Sequence, residues 1–301
     1  MVICMPVYKK IFYSIFTLFF FALLLEGILA LIPLVLGFQQ RGAYEHILQG
    51  GTAIITLGDS VTYGYGLKTT ESWPSQLEAS LHTKGAQVSV INRAVSGMDS
   101  TEAVQREIRT IEEIAAKGTR PVVLVMLGHN DLAGPGWRQW SAPTKESADQ
   151  NTIAPPRLWR IFRWATTNKT PSTWSNPQKE SVLQENILRL EQEVQKVGGQ
   201  IYLLTYLLPG TAEKSNPMHK DDIALSRALQ GRGNDILRTL CSTHESLRLI
   251  DIDSSVVAPT EWEATWFQDH IHPTAYASTE IAISVQRHLV SYGEFPLTVL
   301  P

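Results

Sequence analysis

Four short stretches carry residue types that could do chemistry together. Gly58-Asp59-Ser60 offers a serine hydroxyl in a tight turn, and Asp269-His270-Ile271-His272-Pro273 offers an imidazole with a carboxylate three residues before it. Gly97 offers a backbone N–H that a ligand can approach closely, and Asn130, in Gly128-His129-Asn130-Asp131, offers a side-chain amide. A serine becomes a nucleophile when a base takes its proton, a second group orients that base, and donors receive the oxyanion. An aspartate three residues ahead of a histidine can fold back over one turn and accept from the ring Nδ1–H, leaving Nε2 for the serine. Each stretch also has a plainer reading. Gly-Asp-Ser is ordinary turn chemistry. Single histidines commonly cap helices or sit on surfaces. An aspartate with two histidines could hold a metal. No His-Glu-x-x-His and no cysteine pair accompanies them, so neither metal nor cofactor is expected.

These residues need elements that bring them to one place. Ile54–Leu57 is a short apolar run with β-branched members, a buried strand that stops at Gly58. Val88–Asn92 and Val122–Leu127 read as the second and third strands, Ile201–Leu207 and Leu247–Ile252 as the fourth and fifth. Helices fit between them: one opened by Trp73-Pro74, and one capped by Ser100 or Thr101 with Val104, Ile108, Ile111 and Ile114 on a face. A third runs through Leu183, Ile187, Leu190, Val194 and Val197. A fourth covers 221–243, with Gly231 and Gly233 as points where it could divide, and a last one follows Pro273. Strand and helix alternate, which predicts a parallel sheet covered on both faces. Ser60, Gly97, Asn130 and the Asp269/His272 pair all follow predicted strands, so all fall at the carboxyl edge, where open α/β sheets bind ligands.

In order and spacing, these four blocks resemble the motifs of the SGNH/GDSL hydrolases, in a bacterial-type form, over roughly residues 52–292. That resemblance implies a flavodoxin-like three-layer α/β/α sandwich with a five-stranded parallel sheet. It also implies Ser60 as nucleophile, His272 as base, Asp269 as its orienter, and an oxyanion hole made by the Ser60 N–H, the Gly97 N–H and the Asn130 amide. Val61 stands where the family name has leucine, and Ala94 where many members have glycine. No Gly-x-Ser-x-Gly elbow is present, which sets the chain apart from the α/β-hydrolase fold.

The 301 residues carry a formal net charge of −3 and two cysteines. That charge gives no basic field for nucleic acid, and Cys4 and Cys241 make no disulfide framework. Residues 11–37 are apolar apart from Ser14, Thr17 and Glu26, long enough to cross a bilayer. Lys9 and Lys10 before it favour a cytoplasmic segment 1–10 and an extracytoplasmic remainder on a single-pass anchor; a cleaved signal peptide is the alternative. Residues 38–51 read as a linker, 52–293 as the hydrolase domain and 294–301 as a tail. An insertion at 132–180 holds Trp137, Trp140, Trp159, Trp164 and Trp174, either a locally packed subdomain or a wall for substrate. The expected partners are an ester-bearing small molecule, glycan or lipid, together with the membrane. The expected activity is hydrolysis of carboxylic esters through an acyl-enzyme, with envelope carbohydrate as an expected carrier. A lipid-directed esterase or lysophospholipase, an O-acyltransferase and an inactive binding module on the same fold are the competing functions.

Overall fold

The computed structural model describes residues 52–133, 177–211 and 220–295, with parts of 16–27. The expected linker and the insertion tryptophans lie outside the described residues, as does most of the expected anchor. Among the described residues, no helix is long and apolar enough to cross a membrane.

The strands are β1 (Thr52–Gly58), β2 (Val88–Asn92), β3 (Arg120–Met126), β4 (Gln200–Leu204) and β5 (Leu247–Ile250). They form one sheet in the order β2-β1-β3-β4-β5, every pair parallel. The longer helices are α2 (Trp73–Thr83), α3 (Ser100–Ala115), α5 (Pro177–Lys196), α6 (Lys220–Thr243) and α8 (Ala275–Ser291). Single turns fill three strand exits: α1 (Ser60–Tyr63), α4 (His129–Ala133) and α7 (Ile252–Ser255).

Alternate strand residues point to opposite faces, and two cores result. Ile55, Leu57, Val123, Val125, Ile201 and Leu203 meet α3, α5 and α6 through Ile111, Ile187, Leu190 and Leu237. Ile54, Val122, Leu124, Tyr202 and Leu204 meet α2 and α8 through Trp73, Leu77, Ile281 and Val285. The sheet is therefore the middle of three layers, as expected. Burying such a side chain contributes about 1.5–3 kcal/mol before entropy.

Several boundaries move for physical reasons. β4 stops at Leu204 and β5 at Ile250, each short of the expected end, because Asp251 leaves the ladder to cap α7, accepting from the Ser254 N–H. The N-cap of α3 is Asp99, whose side chain accepts from the Glu102 N–H at 2.8 Å; Ser100 is already inside the helix. α6 runs unbroken through Gly231 and Gly233. Its glycines cost helix propensity, about 1 kcal/mol each, but they let the helix lie against the exit of β3. A Cβ built on Gly128 would sit 3.5 Å from the Gly233 Cα.

Candidate active site

In the order β2-β1-β3, the chain leaves β1 toward one neighbour and β3 toward the other, opening a crevice at their carboxyl ends. The register pairs Gly58 with Met126, so the two strands end level. The segments leaving them therefore lie side by side: Asp59-Ser60 after β1 and His129-Asn130 after β3.

Ser60 is the first residue of α1, and Asp59 is the N-cap. The Asp59 carboxylate accepts from the Val61 N–H at 2.9 Å, which fixes the turn and leaves the Ser60 N–H without a partner inside the helix. Gly58 must be a glycine: a Cβ there would collide with Thr62 Oγ1 and lie 3.0 Å from the Met126 carbonyl.

His272 reaches Ser60 from the far end of the chain. Its Nε2 lies 2.9 Å from Ser60 Oγ and its Nδ1 2.7 Å from Asp269 Oδ2. The other Asp269 oxygen accepts from the N–H groups of Ile271 and His272, both at 2.8 Å. With Nδ1 beside a carboxylate it carries the proton, and Nε2 is then the acceptor for the serine hydroxyl. Burial would raise the Asp269 pKa, but these hydrogen bonds outweigh it and hold the carboxyl well below the usual range. Trp262 Nε1 donates to the Asp269 carbonyl at 2.9 Å and pins the segment.

Gly97 sits in a turn closed by the Met98 N–H donating to the Val95 carbonyl at 2.9 Å, with φ of 79° that only glycine adopts at no steric cost. The turn is fastened to β1 by the Val95 N–H, which donates to the Gly58 carbonyl at 3.0 Å. Arg93, just past β2, donates through Nε to Glu107 of α3 at 2.7 Å in a buried pair. Asn130 ties everything together: its Nδ2 donates to Asp59 Oδ2 at 3.2 Å and to the Met98 carbonyl at 3.0 Å. Both acceptors are oxygens, which fixes which end of the amide is nitrogen. The amide is thus held between the neighbour of Ser60 and the neighbour of Gly97.

The structure adds residues that motif reading did not supply. Tyr206, two residues beyond β4, donates its hydroxyl to Asp59 Oδ2 at 2.9 Å. Asn234 of α6 holds Tyr206 by a reciprocal pair, accepting from its N–H at 2.7 Å and donating to its carbonyl at 2.9 Å. Asp131 accepts from the Ser100 N–H at 3.0 Å and hydroxyl at 2.5 Å, locking the exit of β3 to the start of α3. The only advance sign of Tyr206 was its place at the end of the expected fourth strand, and nothing marked Asn234.

Burial shapes the charges here. It lifts Asp59 from an ordinary 3.8 to about 6, against the lowering by Val61, Tyr206 and the His272 charge. It lifts Asp131 likewise to about 6. It lowers His129 to about 4, helped by the charges of His270 and His272, so His129 is neutral at neutral pH. Among the described residues, no three ligating side chains gather as a metal site would require.

The sequence profile of the GDSL-like lipase/acylhydrolase family matches residues 56–278. This chain belongs to that family. Curated relatives of this GDSL-family chain include an arylesterase of Vibrio mimicus, 34% identical over 83 residues, which are 28% of this chain and 40% of the relative. Another is esterase TesA of Pseudomonas aeruginosa, 31% identical over 110 residues, 36% of this chain and 47% of the relative. The chain thus spans less than half the length of the curated relatives it matches. Among solved structures, a mutant of Axe2, an acetyl-xylooligosaccharide esterase from Geobacillus, aligns with TM-score 0.51 and 15% identity. The match covers 80% of this chain and 95% of that one, a likeness of fold.

Proposed function

We propose that this GDSL-family chain is a serine esterase that cleaves carboxylic esters through an acyl-enzyme. The observation that carries the reading is the unbroken relay Ser60 Oγ, His272 Nε2, His272 Nδ1, Asp269 Oδ2, with contacts of 2.9 and 2.7 Å. The names of the curated relatives, an arylesterase and an esterase, support it.

Ser60 Oγ attacks the ester carbonyl while His272 Nε2 takes its proton. Asp269 keeps the proton on Nδ1 in place and stabilises the imidazolium. The oxyanion meets the Ser60 N–H, the Gly97 N–H and the Asn130 amide. For Asn130 this means rotating the side-chain amide so that the N–H now donated to Asp59, the longer of its two bonds, points to the substrate. The tetrahedral species collapses, the C–O bond to the alcohol breaks, and the alcohol oxygen takes the proton from Nε2. Water then gives its proton to His272 and attacks the acyl carbon, and Ser60 leaves with a proton regained.

A fluorophosphonate probe tests this directly. Wild type is labelled and Ser60→Ala is not; labelling that survives in Ser60→Ala removes Ser60 from the mechanism. The domain at 52–293 is proposed to stand outside the cytoplasm on an anchor at 11–37, a placement supported by the apolar run and by Lys9 and Lys10. A reporter fused after residue 301 that reads out in the cytoplasm defeats that placement. Envelope glycans and lipids are the ester carriers such a site would meet there.

A further inference from the structure

The alcohol half of an ester leaves from a fixed place. Its oxygen takes the proton held at His272 Nε2, so it passes within hydrogen-bond distance of that nitrogen. Tyr65 lies against the same imidazole, with ring centroids 4.7 Å apart and planes inclined by 34°. Yet 53% of the Tyr65 surface is open. Its N–H donates to the Ser60 carbonyl at 3.0 Å, closing the loop that carries the serine. Gln268 Nε2 donates to the carbonyls of Tyr65, at 3.0 Å, and Pro273, at 2.7 Å. The tyrosine is therefore clipped to the segment that bears His272. A single exposed ring needs no explanation. A ring whose backbone is held on both sides, N–H and carbonyl, and which lies against the imidazole that protonates the leaving group does.

We infer that Tyr65 is the subsite for the alcohol half of the ester, and that it takes an alcohol carried on a six-membered ring. This rests on the serine-esterase reading above. Aryl alcohols and pyranosides share the needed chemistry: one packs its π-face on the tyrosine, the other the C–H groups of one face of its chair. Ring pairs of this kind stack with centroids about 4.5–7 Å apart, and about half of the Tyr65 surface is open to a partner.

The test uses the full chain and acetates that differ only in the alcohol: ethyl acetate, phenyl acetate and a monoacetylated methyl glucopyranoside. Each variant is compared with wild type on the same ester, which removes the esters' own reactivity. Tyr65→Ala is expected to lower kcat/KM on a ring acetate about tenfold more than on ethyl acetate, mainly through KM, and Tyr65→Phe to keep the wild-type pattern. An extra loss on phenyl acetate alone assigns an aryl alcohol, and one on the glucoside alone a sugar. An equal loss on all three esters, carried by kcat, would make Tyr65 only a prop for His272 and overturn the subsite. So would a Tyr65→Phe as poor as Tyr65→Ala, because a hydroxyl and not a ring face would then bind. A readout without turnover separates the subsite from the reaction. In Ser60→Ala, saturation-transfer NMR should pass magnetisation from protein to the phenyl protons of phenyl acetate, and adding Tyr65→Ala should abolish it. No transfer overturns the subsite; transfer alongside a wild type inert toward every ester overturns the esterase reading alone.

Discussion

The two ends of the sheet treat buried carboxyl groups in opposite ways. Where the strands begin, Glu294 is matched by cations. Arg120 Nη1 and the Tyr202 hydroxyl both donate to it at 2.5 Å, and Arg248 Nη1 lies 3.9 Å away. Arg248 is itself packed near the rings of Tyr202 and Tyr292. Burial would raise the Glu294 pKa, but these partners prevail and it falls. Where β1 and β3 finish, Asp59 and Asp131 meet only neutral hydroxyl, amide and N–H donors among the described residues, and burial wins. The difference reflects the task of each end. A fixed cation beside Ser60 would oppose the imidazolium that His272 forms in the proposed mechanism. Neutral donors orient the turn without adding a charge for the reaction to work against.

If that division holds, variants at the strand-exit end should cost activity and variants at the strand-start end should cost stability. The largest effect belongs to Asp269→Asn. An amide in place of the carboxylate can donate to Nδ1, which favours the wrong tautomer, and kcat should fall about 10⁴-fold. The thermal midpoint should stay close to wild type, because the segment retains Trp262 and its backbone bonds. Steady-state kinetics with a thermal melt checks both. Asn130→Ala comes next, with kcat lowered by about 100- to 1000-fold and KM little changed. A change in KM alone would remove Asn130 from the oxyanion hole. At the opposite end, Glu294→Ala leaves Tyr202 and two arginines around an emptied site. Arg120 is half-exposed and can turn to water, so the loss should be about 2–3 kcal/mol, read by urea denaturation, with kcat unaltered. A fall in kcat there would break the division.

Much of the strand-exit end was legible in the sequence because it is built from backbone turns with demanding chemistry. Ser60, His272 and Asp269 form one hydrogen-bonded row, and Asn130 bonds the neighbours of Ser60 and Gly97, all after the strands that the apolar runs marked. The parallel sheet follows from the alternation of those runs. The parts that could not be read depend on three-dimensional packing. Tyr206, just beyond β4, holds Asp59 and is itself held by Asn234 of α6, and no local spacing links positions 59, 206 and 234. Gly231 and Gly233 suggested a break, because propensity counts the glycine cost but not the contact with Gly128 that offsets it. Ser100 looked like a helix cap, because Ser, Thr and Asp compete for that position. Asp99 won once Asp131 claimed the Ser100 N–H and hydroxyl.

An effect of similar size, read only through pH, probes the uncharged surroundings of Asp59 itself. Its pKa is raised on folding, so the folded state binds the proton more tightly than the unfolded chain does. Stability contributed by this group is present below about 4 and is lost as pH rises through about 6. An increase from 3.8 to about 6 corresponds to about 3 kcal/mol at most. His129 works the other way, since its pKa is lowered: the fold gains stability from it as pH rises from about 4 toward 6.5. Asp131, also lifted to about 6, acts in the same sense as Asp59, so in wild type two carboxyl groups lose stability over the range in which His129 gains it. Asp59→Asn keeps a side-chain oxygen for the Val61 N–H but cannot ionise, so it removes one arm. The stability of Asp59→Asn relative to wild type should climb by about 2–3 kcal/mol between pH 4 and pH 6.5 and then level off, measured by urea midpoints at each pH. A difference that stays constant over that range would mean that Asp59 is ionised as readily as an exposed carboxylate. The contrast between the two ends of the sheet would then lie in hydrogen-bond geometry and not in charge.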